Sequence, residues 1–413
     1  MLSPGRARLA LLALALGGFG IGCTEFVAMG LLPDIARDLL PELYTSDPEQ
    51  AIAQAGALIS AYAAGVVVGA PTIGVFAARF SRKRLLIVLA AWFALGSIAS
   101  ALLPSFGLVF AARFLAALPH GAYFGVASLV AANLLGPGNR GKAAAYVLGG
   151  LTIANVVGVP AITFLGQHAG WRSAYLAVAT VFVLTTAALV AALPAMKGDP
   201  SATSRGELRA FTIPQVWFAL GIGAIGFGGF FAAYSYVAPI ATEVAGLPEW
   251  SVPLLLVCFG IGMTIGNFAG GAFVDRGVRR AVLVSFVGVL ASLGGLLAFA
   301  TIPPLLFLFV LLIGVSSSAL SPAIQVRLMD VARGSQTIAA AVNHSALNIG
   351  NGMGAYLGGV TIAAGFGYLS PIVVGLLVTA AGLVLALVAF AVDRRPDAPP
   401  VTPHTAPIPL PAE

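Results

Sequence analysis

The chain has 413 residues; 59% are hydrophobic, 9% are charged, the net charge is +6 and the mean hydropathy is +0.99. A soluble domain carries about 25% charged residues, so this chain lacks the polar surface to face water and reads as a polytopic membrane protein. Cys23 and Cys258 stand alone in apolar runs, which excludes a disulfide framework or a metal site and leaves them as small packing residues.

A spanning helix takes about 20 mostly apolar residues, and twelve stretches qualify. Span 1 (9–32) follows Arg6 and Arg8 and imitates a signal peptide. Its apolar run continues past Glu25 to Leu32, whereas a signal core holds about 7–15 residues, so an uncleaved first span is expected. Asp34 follows Pro33 just beyond it. Span 2 (51–78) leads into the basic loop "GVFAARFSRKR" (74–84), and span 3 covers 85–103. Span 4 (106–135) contains Arg113, Tyr123 and, after Pro119, His120. The loop "GPGNRGKA" (136–143) has P-loop spacing through Gly141 and Lys142. Ala143 replaces the Mg²⁺-binding Ser/Thr, however, and no strand precedes the loop, so it simply opens span 5 (143–166), which holds Asn155. Span 6 (172–194) ends at a segment rich in charge, Ser and Gly, 195–213, read as a linker. Span 7 (214–241) contains "GIGAIG", a dinucleotide-like pattern whose glycines, inside a span, serve helix packing. Spans 8 to 12 are 251–274, 281–302, 303–326, 337–364 and 368–392, with His344, Asn348 and Asn351 in span 11. The Pro-rich tail 393–413 is expected to be disordered.

When the N-terminus is placed inside and the segments alternate, 18 of the 21 basic residues fall on the inner side. Arg37 and Arg172 fall outside, and Arg113 is left within span 4. This bias predicts that both termini are cytoplasmic. It also explains the net charge, because a nucleic-acid surface would need a clustered basic face.

The two halves repeat. "GVFAARFSRKR" aligns with "GAFVDRGVRR" (271–280) at an offset of 197, pairing Gly74 with Gly271, Arg79 with Arg276 and Arg82 with Arg279. "AAAYVLGGLTIANVVG" (143–158) aligns with "AAAVNHSALNIGNGMG" (339–354) at an offset of 196, pairing Asn155 with Asn351 and Gly158 with Gly354. The expected fold is an all-α membrane protein with twelve transmembrane helices in two pseudo-symmetric six-helix halves. Its parts are the N-terminal half 1–194, the linker 195–213, the C-terminal half 214–392 and the tail 393–413. Substrate in such repeats sits between the halves near the midplane.

These residues resemble the major facilitator superfamily, in particular its twelve-span drug:proton antiporter group. The glycine–basic loop after spans 2 and 8 is similar to that superfamily's signature. "RFLAALPHGAYFGVAS" (113–128) resembles its span-4 arginine motif, and "GLTIANVVGVPAITFLGQHAGWRSAY" (150–175) its span-5 antiporter motif. "TEFVAMGLLPDIARDL" and "NHSALNIGNGMGAYLGG" are similar to arabinose-type efflux permeases, purine efflux pumps and chloramphenicol exporters. The resemblance implies gating roles for Arg79, Arg82, Lys83, Asp275, Arg276 and Arg279. It also implies helix-shaping roles for Gly150, Gly158 and Pro160. Three positions depart from the pattern: Ala78 stands for the loop aspartate, Ser81 for the loop glycine, and Val159 separates Gly158 from Pro160.

Glu25 and Arg113 each lie seven residues from the same side of the membrane, about 10 Å deep at ~1.5 Å per residue. Intramembrane charges face cavities and pair, so these two are expected to form a coupled pair for proton exchange; the plainer alternative is a static bridge between spans 1 and 4. Asp34 is an auxiliary proton site or a solvated loop acid. His120, Tyr123, Asn155, Tyr234, His344, Asn348 and Asn351 are candidate substrate contacts or interhelical hydrogen-bond partners. Neither HExxH nor GxSxG occurs, so no enzyme is expected.

The expected activity is proton-coupled antiport that exports small neutral or weakly charged organic molecules from the bacterial plasma membrane. The alternatives are a sugar or nucleoside efflux permease and a nontransporting sensor or scaffold. The expected partners are the lipid bilayer, a small-molecule substrate and protons. No nucleic acid, ATP, metal or cofactor is expected, and the chain is expected to be a monomer.

Overall fold

The computed structural model describes residues 4–77, 80–136, 140–196, 213–274, 276–331 and 336–393. Most of the linker, the tail beyond Asp393, and the loop residues Ala78, Arg79 and Asp275 lie outside the described residues. Within them every regular element is helical. Eleven helices are long and apolar enough to cross a membrane. The remaining long helix, span 11 (Gln336–Thr361), falls on the one other expected stretch, 337–364, but carries His344, Asn348 and Asn351 among its glycines. It is the polar member of the bundle because it faces the other half rather than lipid: Asn348 and Asn351 are buried.

Several boundaries differ from expectation for local reasons. Span 1 runs from Pro4 to Gly30. Pro33 then starts a separate helix, Leu32–Leu39, which buries Leu32, Ile35, Ala36 and Leu39, and a third, Pro41–Ser46, follows. The segment expected as a loop is therefore largely helical, and it tucks an apolar face onto the end of the bundle. Span 2 is Pro48–Ala77 and span 3 is Arg82–Leu102. Span 4 is broken into Phe106–Ala117 and His120–Leu135. Pro119 cannot donate to the Leu115 carbonyl; that oxygen accepts instead from the Leu118 N–H at 3.3 Å and from the Trp92 indole of span 3 at 2.8 Å. In span 5, Arg140–Ile153 passes through a π-helical turn, Ala154–Gly158, into Val159–Ala169. Pro160 follows that turn and removes one rung of the ladder, a common setting for a widened turn. Span 6 is Trp171–Ala192. Span 7 is Pro214–Tyr234, continued by Val237–Pro239 and Ile240–Val244. Spans 8, 9, 10 and 12 are Ser251–Val274, Val278–Phe299, Pro303–Val331 and Ser370–Val392.

The repeat is visible in the packing. Gly65 and Gly69 of span 2 lie against the Phe114 and Leu118 carbonyls of span 4, where any Cβ would collide. Gly262 and Gly266 of span 8 lie in the same way against Leu311 and Val315 of span 10. All four positions differ by 197 residues, the offset read from the basic loops. Likewise Gly150 and Gly158 bring span 5 against span 1, and Gly350 and Gly354 bring span 11 against span 7. Small residues let helices pack where the hydrophobic effect cannot drive them together.

The bundle has a terminal face, where spans 1 and 12 begin and end, and an opposite face, where the 31–50 segment lies. The halves meet along spans 2 and 11 and along spans 5 and 8. On the first seam Ser60 donates to the Gly352 carbonyl at 3.0 Å. The Tyr236 ring is fully buried there, packed against Gly56, Gly358 and Gly359, and its hydroxyl donates to Ala355 O at 2.8 Å. On the second seam Gly260 rests on the Asn155 backbone, and near the opposite face Gln167 donates to Glu249 O at 2.9 Å. Contacts between the halves therefore reach the opposite face.

Candidate functional site between the halves

Span 1 places Glu25 near its end at the opposite face, buried beside the seam. Its electrostatic neighbours come from both halves: Arg113 of span 4, Tyr62 of span 2, Tyr234 of span 7 and Asn351 of span 11. Asn351 is within hydrogen-bonding reach of the carboxyl. Both amide atoms of Asn351 lack a hydrogen-bond partner.

Arg113 acts electrostatically on the Glu25 carboxyl, but no salt bridge joins the two. Arg113 is 1% exposed, and its guanidinium donates to Thr24 Oγ1 at 3.0 Å and to the Thr24 carbonyl at 2.8 Å. It also lies over the rings of Tyr62 and Tyr175, at 4.4 and 5.3 Å. A desolvated guanidinium gains from carbonyl dipoles and ring faces together. Arg113 therefore spends its two terminal nitrogens one residue away from Glu25, leaves its buried Nε without a partner, and acts on Glu25 through space. Thr24, Tyr62 and Tyr175 were not singled out by the sequence; a threonine or a tyrosine in a span carries no signal of its own.

Below this level a second cluster forms. The Tyr62 hydroxyl meets His120 Nδ1 at 3.2 Å. Across the seam the His344 ring stacks on Phe124, with centroids 5.4 Å apart and planes 3° from parallel, and lies 6.5 Å from His120. Tyr123 donates to the Leu14 carbonyl at 3.2 Å. Asn348 donates to His344 O at 3.1 Å and leaves its own Oδ1 without a partner. Towards the opposite face, Phe26, Phe230, Phe231, Tyr234 and Phe259 make a buried aromatic wall of spans 1, 7 and 8; Tyr234 and Phe259 stack at 3.9 Å.

Asp34 lies apart, in the Leu32–Leu39 helix, 3.6 Å from Arg37. Burial and then the Glu249 carboxylate of the other half push its carboxyl above the usual range, against the pull of Arg37. Three of the described basic-loop residues, Lys83, Arg276 and Arg279, contact their own halves. Lys83 donates to the Val190 and Leu193 carbonyls at the end of span 6, at 2.8 and 2.6 Å. Arg276 donates to Ala272 O at 3.4 Å, and Arg279 lies over Phe390 at 5.8 Å. Neighbouring Ser81 donates to Met196 O at 3.0 Å.

Two glycine-packed six-helix halves with a buried, charged seam define a membrane transporter. The profile of the Major Facilitator Superfamily matches residues 14–258 and 251–411, and the chain belongs to that superfamily. It is 38% identical over 390 residues to the inner membrane transport protein YdhP of Escherichia coli K12, covering 94% of this chain and 97% of that one. It is 34% identical over 383 residues to a chloramphenicol resistance protein of Streptomyces lividans, covering 91% and 95%. Among solved structures, a D-xylose-proton symporter shares the fold at a TM-score of 0.72 and 15% identity, covering 93% of this chain and 97% of that one.

Proposed function

We propose that the chain is a proton-coupled antiporter of the inner membrane that exports compact, neutral or weakly charged organic molecules, with both termini cytoplasmic. The observation that carries this reading is the state of Glu25. It is a buried carboxyl at the seam whose nearest cation is bonded to Thr24 rather than to it. A carboxylate locked in an ion pair is held ionised, whereas one that is merely near a cation titrates when its solvation changes. Opening and closing the halves around Glu25 changes that solvation. In this reading proton and substrate take the site alternately, and closure of the opposite face leaves the site to communicate with the terminal face.

Tyr234, Asn155, Asn348 and Asn351 are the proposed substrate contacts. The unpartnered amide atoms of Asn348 and Asn351 are buried hydrogen-bonding capacity, which a native core rarely leaves unused. The aromatic wall beside them supplies apolar area. Such a site favours apolar burial with a few orienting hydrogen bonds, and one acid with one base is too little fixed charge for a polyanion or a polycation. The similarity to a chloramphenicol resistance protein supports phenicol-type compounds as an example.

The test is export of chloramphenicol by the purified chain in vesicles carrying an imposed pH gradient. The parent should accumulate the drug against its gradient and move protons the other way. Glu25→Gln, which keeps shape and removes the proton site, should lose uphill transport and retain downhill exchange. Uphill transport by Glu25→Gln at the parent rate would remove Glu25 from the coupling.

A further inference from the structure

Glu25 sits towards one face, and a proton loaded there has to leave at the other. Helix register shows what lies between. Glu25 is five residues from the end of span 1, about 8 Å in from the opposite face. Tyr62 and His120 are each fourteen residues along spans 2 and 4 from that face, about 21 Å in. His344 is eight residues into span 11 from the terminal face, about 12 Å in. These groups thus lie at successive depths. Each can donate and accept a hydrogen, and they are contributed by four helices of both halves.

We propose that Tyr62, His120 and His344 form a proton relay that carries the Glu25 proton to the terminal face. The inference rests on the proton-coupled reading above and adds the route. Tyr62 is electrostatically coupled to Glu25 on one side and touches His120 Nδ1 on the other. The other charged or titratable groups against it are Arg113 of span 4 and Tyr175 of span 6. Arg113 stays charged and hands on no proton; lying over the Tyr62 ring, it repels an excess proton there, so the phenol passes one through rather than holding it. His120 is 2% exposed, whereas His344 is half-buried and reaches water more readily.

The steps balance. The Glu25 O–H breaks and its proton passes along a chain of bridging waters to the Tyr62 oxygen, while the Tyr62 O–H breaks and a new N–H forms at His120 Nδ1. The hydrogen on His120 Nε2 leaves, and an N–H forms on the His344 ring. The 6.5 Å centroid separation of the two rings suits a further bridging water, and such a bridge is nearly as good as a direct bond. His344 then releases its proton to water at the terminal face, and His120 returns to its starting tautomer by water-assisted exchange, its Nδ1–H giving a proton to water while Nε2 takes one up. The Phe124 ring stacked on His344 holds that imidazole in place across the seam.

The test is time-resolved infrared spectroscopy of the full chain in lipid after an alkaline pH jump. The protonated-carboxyl band that Glu25→Gln lacks reports the Glu25 proton. Tyr62→Phe keeps the ring beneath Arg113 and removes only the hydroxyl. It should slow decay of that band by about a hundredfold, the usual contribution of a positioned proton-transfer group. His120→Ala should do the same and regain speed when imidazole is added, a rescue that a packing role does not produce. Parent-like decay in both variants would overturn the relay and leave the antiport reading standing. If no carboxyl band titrates in the parent, both fall together.

Discussion

Arg113 shows how a lone charge is kept inside a membrane bundle without a counter-charge in contact. Two bonds to Thr24 and two aromatic faces replace its hydration. Arg113→Ala should lower stability by about 3 kcal/mol, from charge-assisted bonds of ~1.5–3 kcal/mol and ring contacts of up to ~2 kcal/mol, measured as the unfolding midpoint in detergent. Arg113→Lys should recover about half, because a point ammonium cannot span Oγ1 and carbonyl oxygen together. Full recovery by lysine would show that charge alone matters. Glu25 and Arg113 were legible in the sequence because ionisable residues are rare in apolar runs. The partner of Arg113 was not, because half of it is a backbone carbonyl and the rest is threonine and tyrosine, which are ordinary in spans. Tyr62 was missed for the same reason, and only its position between Arg113 and His120 marks it.

At the scale of elements, the Leu32–Leu39 helix joins the end of span 1 to the closed opposite face. Its Asp34 lies near Glu249 of the other half when that face is shut, and burial there raises the Asp34 carboxyl above its usual ~3.9. When the face opens, Asp34 is more solvated and Glu249 more distant, so its affinity for a proton falls. Protons therefore bind the closed form more tightly, and by linkage acidification favours closure. The effect is complete below the ordinary carboxylate value and is lost as pH rises through the raised one. Spin labels at Leu43 and Ala245 should report shorter distances as pH falls across that window, and Asp34→Asn should abolish the dependence with the face closed. The same dependence in Asp34→Asn would assign it to another group. The separate helix was only partly legible. Pro33 marks a start, but the alternation of apolar positions over eight residues is too short to declare a helix. Span 4 reads in the sequence as one continuous stretch, so neither its break after Ala117 nor the Trp92 bond at that break was legible, since span 3 gives no register against span 4.

For the whole molecule, the repeat was readable because glycine is demanded wherever backbones touch: Gly65, Gly69, Gly262 and Gly266 keep one offset while the side chains around them drift. The basic loops alone predict the orientation. With Cys23 and Cys258 replaced, a cysteine at Glu42 should label only from outside cells, and one at Ser204 only after the membrane is made permeable. Labelling of both from one side would refute the topology.

Span 11 has a consequence for how the protein is made. A helix leaving the ribosome partitions into lipid by its own apolarity, and the buried side chains that suit His344, Asn348 and Asn351 to the seam also oppose entry into hydrocarbon. This helix is therefore a poor client of the insertion machinery when alone and depends on its neighbours, the strongly apolar spans 10 and 12, to carry it in. Placed singly between glycosylation reporters, Gln336–Thr361 should mostly fail to integrate, while a segment from Pro303 to Val392 should integrate fully. The polarity that suits span 11 to the seam thus fixes the order of assembly, with the seam-facing helix settling only after its lipid-facing companions are in place.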